Sequence, residues 1–112
     1  MMDVFLRQTA EGDIEGGFDH CLTSAGGSVA AEFVLAINAA LAHFGEFPGT
    51  GSTRYGELLD TPRLRFWLVR NFPYVLFCIE RETHLDVIRV LHQKSDIPAQ
   101  LRSDLPDSAA DV

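Results

Sequence analysis

The stretch that decides the fold is Leu64–Leu101, LRFWLVRNFPYVLFCIERETHLDVIRVLHQKSDIPAQL. Leu64–Arg70 alternates. Leu64, Phe66, Leu68 and Arg70 fall on one side and Arg65, Trp67 and Val69 on the other, which is the two-residue period of a strand. Asn71-Phe72-Pro73 turns the chain. Tyr74–Ile79 is apolar on both faces, the mark of a strand covered on both sides and therefore central. Arg81–Thr83 turns again. Leu85–Leu91 alternates once more, with Leu85, Val87, Arg89 and Leu91 facing one way and Asp86, Ile88, Val90 and His92 the other. Connections this short join antiparallel neighbours, so the three runs predict a meander. Asp96 then caps a last short helix that has Pro98 in its first turn.

Working back from the meander, Val29–Phe44 is the strongest helical signal. Ala30, Phe33, Val34, Ile37, Ala40, Leu41 and Phe44 recur at three- and four-residue spacing and form one core stripe. Ser28 is placed to cap this helix and Gly45 to stop it. Between it and the meander, Phe47–Gly56 reads as a connecting loop. It lacks the lysine and the following helix that a phosphate-binding loop needs. Asp3–Thr9 is short and roughly alternating and predicts a first strand. Thr9 is placed to cap a helix to about Thr23, with Ile14, Phe18, Cys21 and Leu22 on one face. Gly16-Gly17 in its middle costs that helix about 1 kcal/mol per glycine relative to alanine. The order is strand, two helices, three antiparallel strands, short helix. That is α+β, with the helices packed on one face of a twisted sheet.

A chain of 112 residues is one domain with a modest core. We place that domain at 1–102 and read 103–112, acidic and rich in small residues, as a disordered tail. No basic segment precedes an apolar one at the N-terminus, so no signal peptide is expected. Apolar runs in the key stretch fall far short of the roughly 20 residues of a membrane span. A soluble, cytoplasmic protein is expected. Cys21 and Cys78 make no CxxC pair and no metal spacing, and read as reduced cysteines of a cytoplasmic protein. The net charge is −7. Residues 1–50 carry seven acids and one base, while 51–102 carry six acids and eight bases. Bulk electrostatics therefore do not favour nucleic acid, and the cations concentrate on the meander.

The ordered series Arg70-Asn71-Phe72-Pro73-Tyr74, Phe77, Leu85–His92 (LDVIRVLH), Asp96-Ile97-Pro98-Ala99 and Leu101 resembles the RelE/ParE toxin superfamily of bacterial type II toxin–antitoxin systems, and within it the ParE-like, plasmid-stabilisation branch. The match covers about 40 residues and rests on the series rather than on one strong motif. Departures are visible: Cys78 stands where the family has a second tyrosine, Ile79 where it has an arginine, and Gln93-Lys94-Ser95 where it often has glycine-x-arginine. The ParE-like resemblance implies a toxin that arrests growth by binding a protein, DNA gyrase, and that is neutralised by a cognate antitoxin. It implies no cofactor, no metal and no catalytic residue.

Two alternatives stay open. A RelE-like member would be a ribosome-dependent mRNA endoribonuclease. That chemistry needs cations to stabilise a pentacovalent phosphorane and an acid–base pair around the 2′- and 5′-oxygens. Arg63, Arg70, Arg89, His92 and Lys94 would supply it, with Arg65 pointing to the face opposite Arg70. The other alternative is a non-toxic relative serving as an interaction module. For partner or target binding the candidates are Arg65, Arg70, Tyr74, Arg89, His92, Lys94 and Asp96. Each has a plain structural role as well: Arg89 pairing with a carboxylate such as Glu80, His92 bonding the strand end, Tyr74 in the core or rim. No Ser/His/Asp series is present.

Overall fold

The computed structural model describes residues 2–104. Strand β1 (Asp3–Leu6) leads into helix α1 (Gln8–Ala25) and helix α2 (Gly27–Glu46). A 3₁₀ turn (Pro48–Thr50) and the short helix α3 (Arg54–Leu58) follow. Strands β2 (Leu64–Leu68), β3 (Tyr74–Glu80) and β4 (His84–His92) come next, and helix α4 (Ile97–Asp104) closes the described chain. The four strands form one sheet in the order β1-β4-β3-β2. The predicted meander is antiparallel throughout, and β1 lies parallel to β4 at the far edge.

The reading of Tyr74–Ile79 as a doubly covered strand holds, because all six residues are buried. One face of the sheet packs Leu76, Cys78, Leu85, Val87 and Val90 against Phe33, Ile37 and Phe44 of α2 and Ala10 and Cys21 of α1. The helices are not confined to that one face, as their order predicts, because the short C-terminal helix covers the other. There Leu64, Val75, Phe77, Ile79, Ile88 and Leu91 pack against Ile97 and Leu101 of α4, with Tyr55 and Leu59 beside them.

The strict alternation expected along Leu85–Leu91 breaks at a β-bulge. Phe77 pairs with Arg89 but Cys78 pairs with Val87, so Ile88 and Arg89 together oppose one residue of β3. The extra residue resets the phase. Val90 thereby joins Leu85 and Val87 on the long-helix face, while Leu91 joins Ile88 on the other.

Three local expectations also change. Thr9 does not cap α1. Its hydroxyl donates to the Ile88 carbonyl, 3.1 Å away, and α1 starts at Gln8, with Arg7 in the cap position and no side-chain cap. Helix α2 starts at Gly27, before Ser28, and runs through Gly45 to Glu46; Gly26, at φ 93°, takes the left-handed junction that only glycine adopts freely. The segment Phe47–Gly56 is not plain loop, since the 3₁₀ turn and the start of α3 lie in it. Asp96 does cap α4, its Oδ1 accepting the Ala99 N–H at 3.3 Å. Ser103 and Asp104 belong to α4, and the remainder of the expected tail lies outside the described residues.

Candidate partner-binding site

Of the cationic side chains that the sequence concentrates on the meander, Arg65 and Arg89 are spent inside the fold, while Arg63, Arg70, Arg81 and Lys94 are exposed. Arg65 lies on the long-helix face. Its Nε donates to Glu80 at 3.1 Å and an Nη to the Gly51 carbonyl at 3.0 Å, which ties the α2–α3 connection to the sheet. Arg89 pairs with a carboxylate as expected, but the partner is Asp13 rather than Glu80. The bulge turns it toward Asp13 of α1, which takes two bonds at 2.7 and 2.9 Å, and toward Gln100 of α4 at 3.3 Å. The same Asp13 carboxylate accepts the Val90 N–H at 2.9 Å. Arg63 is exposed and donates to the Glu80 carbonyl at 3.3 Å.

The remaining candidates share the opposite end of the sheet. Tyr74 pairs in register with His92, and Arg70 sits in the β2–β3 turn just before it. His92 bonds the strand end: its Nδ1 accepts the Lys94 N–H at 3.0 Å, and its carbonyl accepts the Ser95 hydroxyl at 2.6 Å. Tyr74 is buried between Phe33 and His92, with ring centroids 5.1 Å from each. Burial, and secondarily the nearby Cys21, raises its phenol above the ordinary value. Arg70 and Lys94 are exposed. Arg63 and Arg70 stand at opposite ends of β2, roughly 20 Å apart at a strand's rise per residue. The five candidates for nuclease chemistry thus divide among two sheet ends and an internal ion pair. Cys78, in the central strand, is fully buried; burial first, with Glu80 and Asp86 adding to it, outweighs Arg65 and pushes its thiol up to about 12. It is protonated and shielded at physiological pH.

A groove of about 1010 Å³ lies between α2 and β2. Ala36, Ala40, Trp67 and Val69 line it, with Leu35 and Leu68 on the flanks and Arg70 at one end. Leu35 is 67% exposed and Leu68 55%. Trp67 is held by His43, whose ring lies 4.4 Å away at 33°, and by Phe44 at 5.7 Å. The rim is also an open strand edge. β2 is the outermost strand, and Ser52 bridges it only at Phe66. Antiparallel alternation then turns the Leu68 N–H and C=O outward into the groove mouth. Sequence reasoning found Leu68 and Trp67 only as strand residues and missed the groove. The available signal was α2 itself: by length and composition it could cross a membrane, yet only 28% of its most apolar 18-residue window is buried. Ala31, Leu35, Ala39 and Ala42 lie outside its core stripe and are exposed. A helix apolar beyond the stripe that a core needs has surface left to cover.

Residues 4–97 match the family model described as the ParE toxin of the type II toxin–antitoxin system, parDE. The chain belongs to the ParE toxin family. The matched span begins in β1 and ends at the first residue of α4, so it contains both walls of the groove. Membership selects the ParE-like branch of the superfamily. Among curated proteins nothing matches. Ten solved chains do. One, from a chromosomal ParDE toxin–antitoxin system of P. aeruginosa, aligns with a TM-score of 0.69 and 18% identity. The alignment covers 82% of this chain and 96% of that one. At that identity the likeness supports the fold, and the ParE family assignment rests on the 4–97 match.

Proposed function

We propose that this ParE family member is the toxin of a type II toxin–antitoxin pair, that it arrests growth by binding a protein target, DNA gyrase, in the cytoplasm, and that an antitoxin segment seated in the α2–β2 groove neutralises it. The observation that carries the reading is the family match together with that groove, an apolar concavity bounded by an unpaired strand edge. Such a site suits an amphipathic helix laid in the groove or a strand added at Leu68. Against the endoribonuclease alternative stand the ion pair that sequesters Arg89 and the separation of Arg63 from Arg70. Asp96 is a helix cap in this reading, and Tyr74 and His92 shape the sheet end rather than perform chemistry.

The test is expression of the chain with and without the product of the adjacent reading frame. Growth arrest in its absence and recovery in its presence are expected, with loss of supercoiling by purified gyrase and intact message. Supercoiling that excess protein leaves untouched would remove gyrase as the target.

A further inference from the structure

The α2–β2 groove covers only one flank of α2. On the other flank a second, smaller groove of about 340 Å³ runs between α1 and α2, with Ile14, Phe18 and Val34 as its apolar lining and Glu15 and Asp19 at its edge. Ile14, Phe18 and Leu22 are four residues apart and form one ridge of α1, and Leu22 is 46% exposed. Beside that ridge runs a second one, Glu11, Glu15 and Asp19, at the same spacing and fully on the surface. No Lys or Arg occurs between Gln8 and Thr53. Among the described residues Glu11, Glu15, Asp19 and Glu32 enter no ion pair; the carboxylates that do are Asp13, Glu80 and Asp86. The outer face of the α1–α2 hairpin is therefore an apolar trough bordered by uncompensated negative charge.

We infer that this hairpin face is a second docking surface and that its occupant is an amphipathic helix carrying Lys or Arg along the edge that meets Glu11, Glu15 and Asp19. The charge pattern selects among occupants. A second copy meeting it hairpin to hairpin would bring two acidic ridges together with no base between them. An anionic membrane surface or an acidic peptide meets the same repulsion. A cationic helix gains at each carboxylate while its apolar stripe covers Ile14, Phe18 and Val34. The exposed alanines of α2, Ala31 and Ala39, let a partner backbone approach the helix closely. Identifying the occupant with the antitoxin rests on the toxin–antitoxin reading above. It makes the neutralising segment cationic where it crosses the hairpin.

The experiment titrates the full chain with the product of the adjacent reading frame by calorimetry. It compares the wild type, Glu15→Lys/Asp19→Lys, and a control, Glu57→Lys/Glu82→Lys, with the same change of net charge away from the hairpin. All four positions are exposed, so the fold is kept. The hairpin variant is expected to bind at least tenfold more weakly at about 50 mM salt, with the gap closing near 1 M, where charges are screened beyond about 3 Å. The control is expected to shift affinity less than threefold. Equal weakening by both variants reduces the effect to bulk charge and overturns the inference, as does no weakening by either. In those cases a tight wild-type complex and growth arrest by the chain alone leave the toxin reading standing. No complex and no arrest would bring down both. A wild-type dimer that Glu15→Lys/Asp19→Lys disperses would assign the face to a second copy and overturn the cationic helix.

Discussion

Arg89 shows how the role of one guanidinium is set by what a single carboxylate does opposite it. Side chains of Arg89 and Asp13 are 17% and 16% exposed, so the pair is largely out of water. Two short bonds and the Val90 N–H on the same carboxylate satisfy both sides of the pair. Removing one partner of such a pair leaves a desolvated charge, which typically costs about 3–5 kcal/mol. Gln100 stays to accept one bond in the variant, so Asp13→Ala is expected at the low end, about 3 kcal/mol, read as a lower urea midpoint with an unchanged slope. The Arg65–Glu80 pair gives the contrast. Its side chains are 22% and 32% exposed. Water screens it more, and Glu80→Ala is expected to cost about 1 kcal/mol or less. Equal losses in the two variants would mean that the bulge site is no more buried in effect than the surface one.

At the scale of elements, α1 and α2 meet across Gly17. A Cβ there would lie 2.6 Å from the Phe33 Cζ, and that ring is wedged between Phe72 and Tyr74 at 5.4 and 5.1 Å. Gly16, one residue earlier, faces open space. The two glycines that look like equal liabilities in the sequence should respond with opposite sign. Gly16→Ala should stabilise by up to about 1 kcal/mol through helix propensity. Gly17→Ala gains the same propensity but overpacks the helix interface, for a net loss of about 1–2 kcal/mol. Thermal unfolding of the two variants checks this, and a stabilised Gly17→Ala would show that Phe33 can yield. The same comparison shows what was legible. The strands, both long helices and the Asp96 cap could be read because periodicity and capping are local. The bulge at Ile88-Arg89 could not, because strict alternation and a one-residue phase reset give nearly the same string of Val, Ile and Leu. The groove escaped for a related reason. Leu35 and Leu68 read as ordinary helix and strand residues until the topology leaves β2 at an edge beside α2.

At the scale of the whole molecule, sixteen acids against nine bases make pH the natural probe of stability. Asp86 stands where three parts of the chain meet: Arg7 at the β1–α1 junction bonds it at 2.7 Å and Arg81 of the β3–β4 turn at 3.3 Å. Burial pushes the Asp86 carboxyl up, but the hydrogen bonds and charges of Arg7, and then of Arg81, outweigh it and hold the group below the usual carboxylate range. A carboxyl depressed in the folded state binds fewer protons there than in the unfolded chain. Its stabilisation is complete above the unfolded value, about 3.9, and is lost as pH falls through the folded one. A second effect runs the other way. From pH 7 toward the isoelectric point near 4.8, titration relieves repulsion among the exposed acids of the hairpin. The absolute stability of the wild type therefore mixes the two, and the difference from Asp86→Asn separates them. Asparagine keeps the shape without the charge. The variant should be less stable than the wild type by a constant amount from pH 7 to about 5, since both retain the same hairpin acids. Below about pH 4 the two urea midpoints should converge, because a protonated Asp86 and an asparagine present nearly the same group to Arg7 and Arg81. A gap that persists to pH 2 would mean that Asp86 holds the first strand by packing rather than by charge.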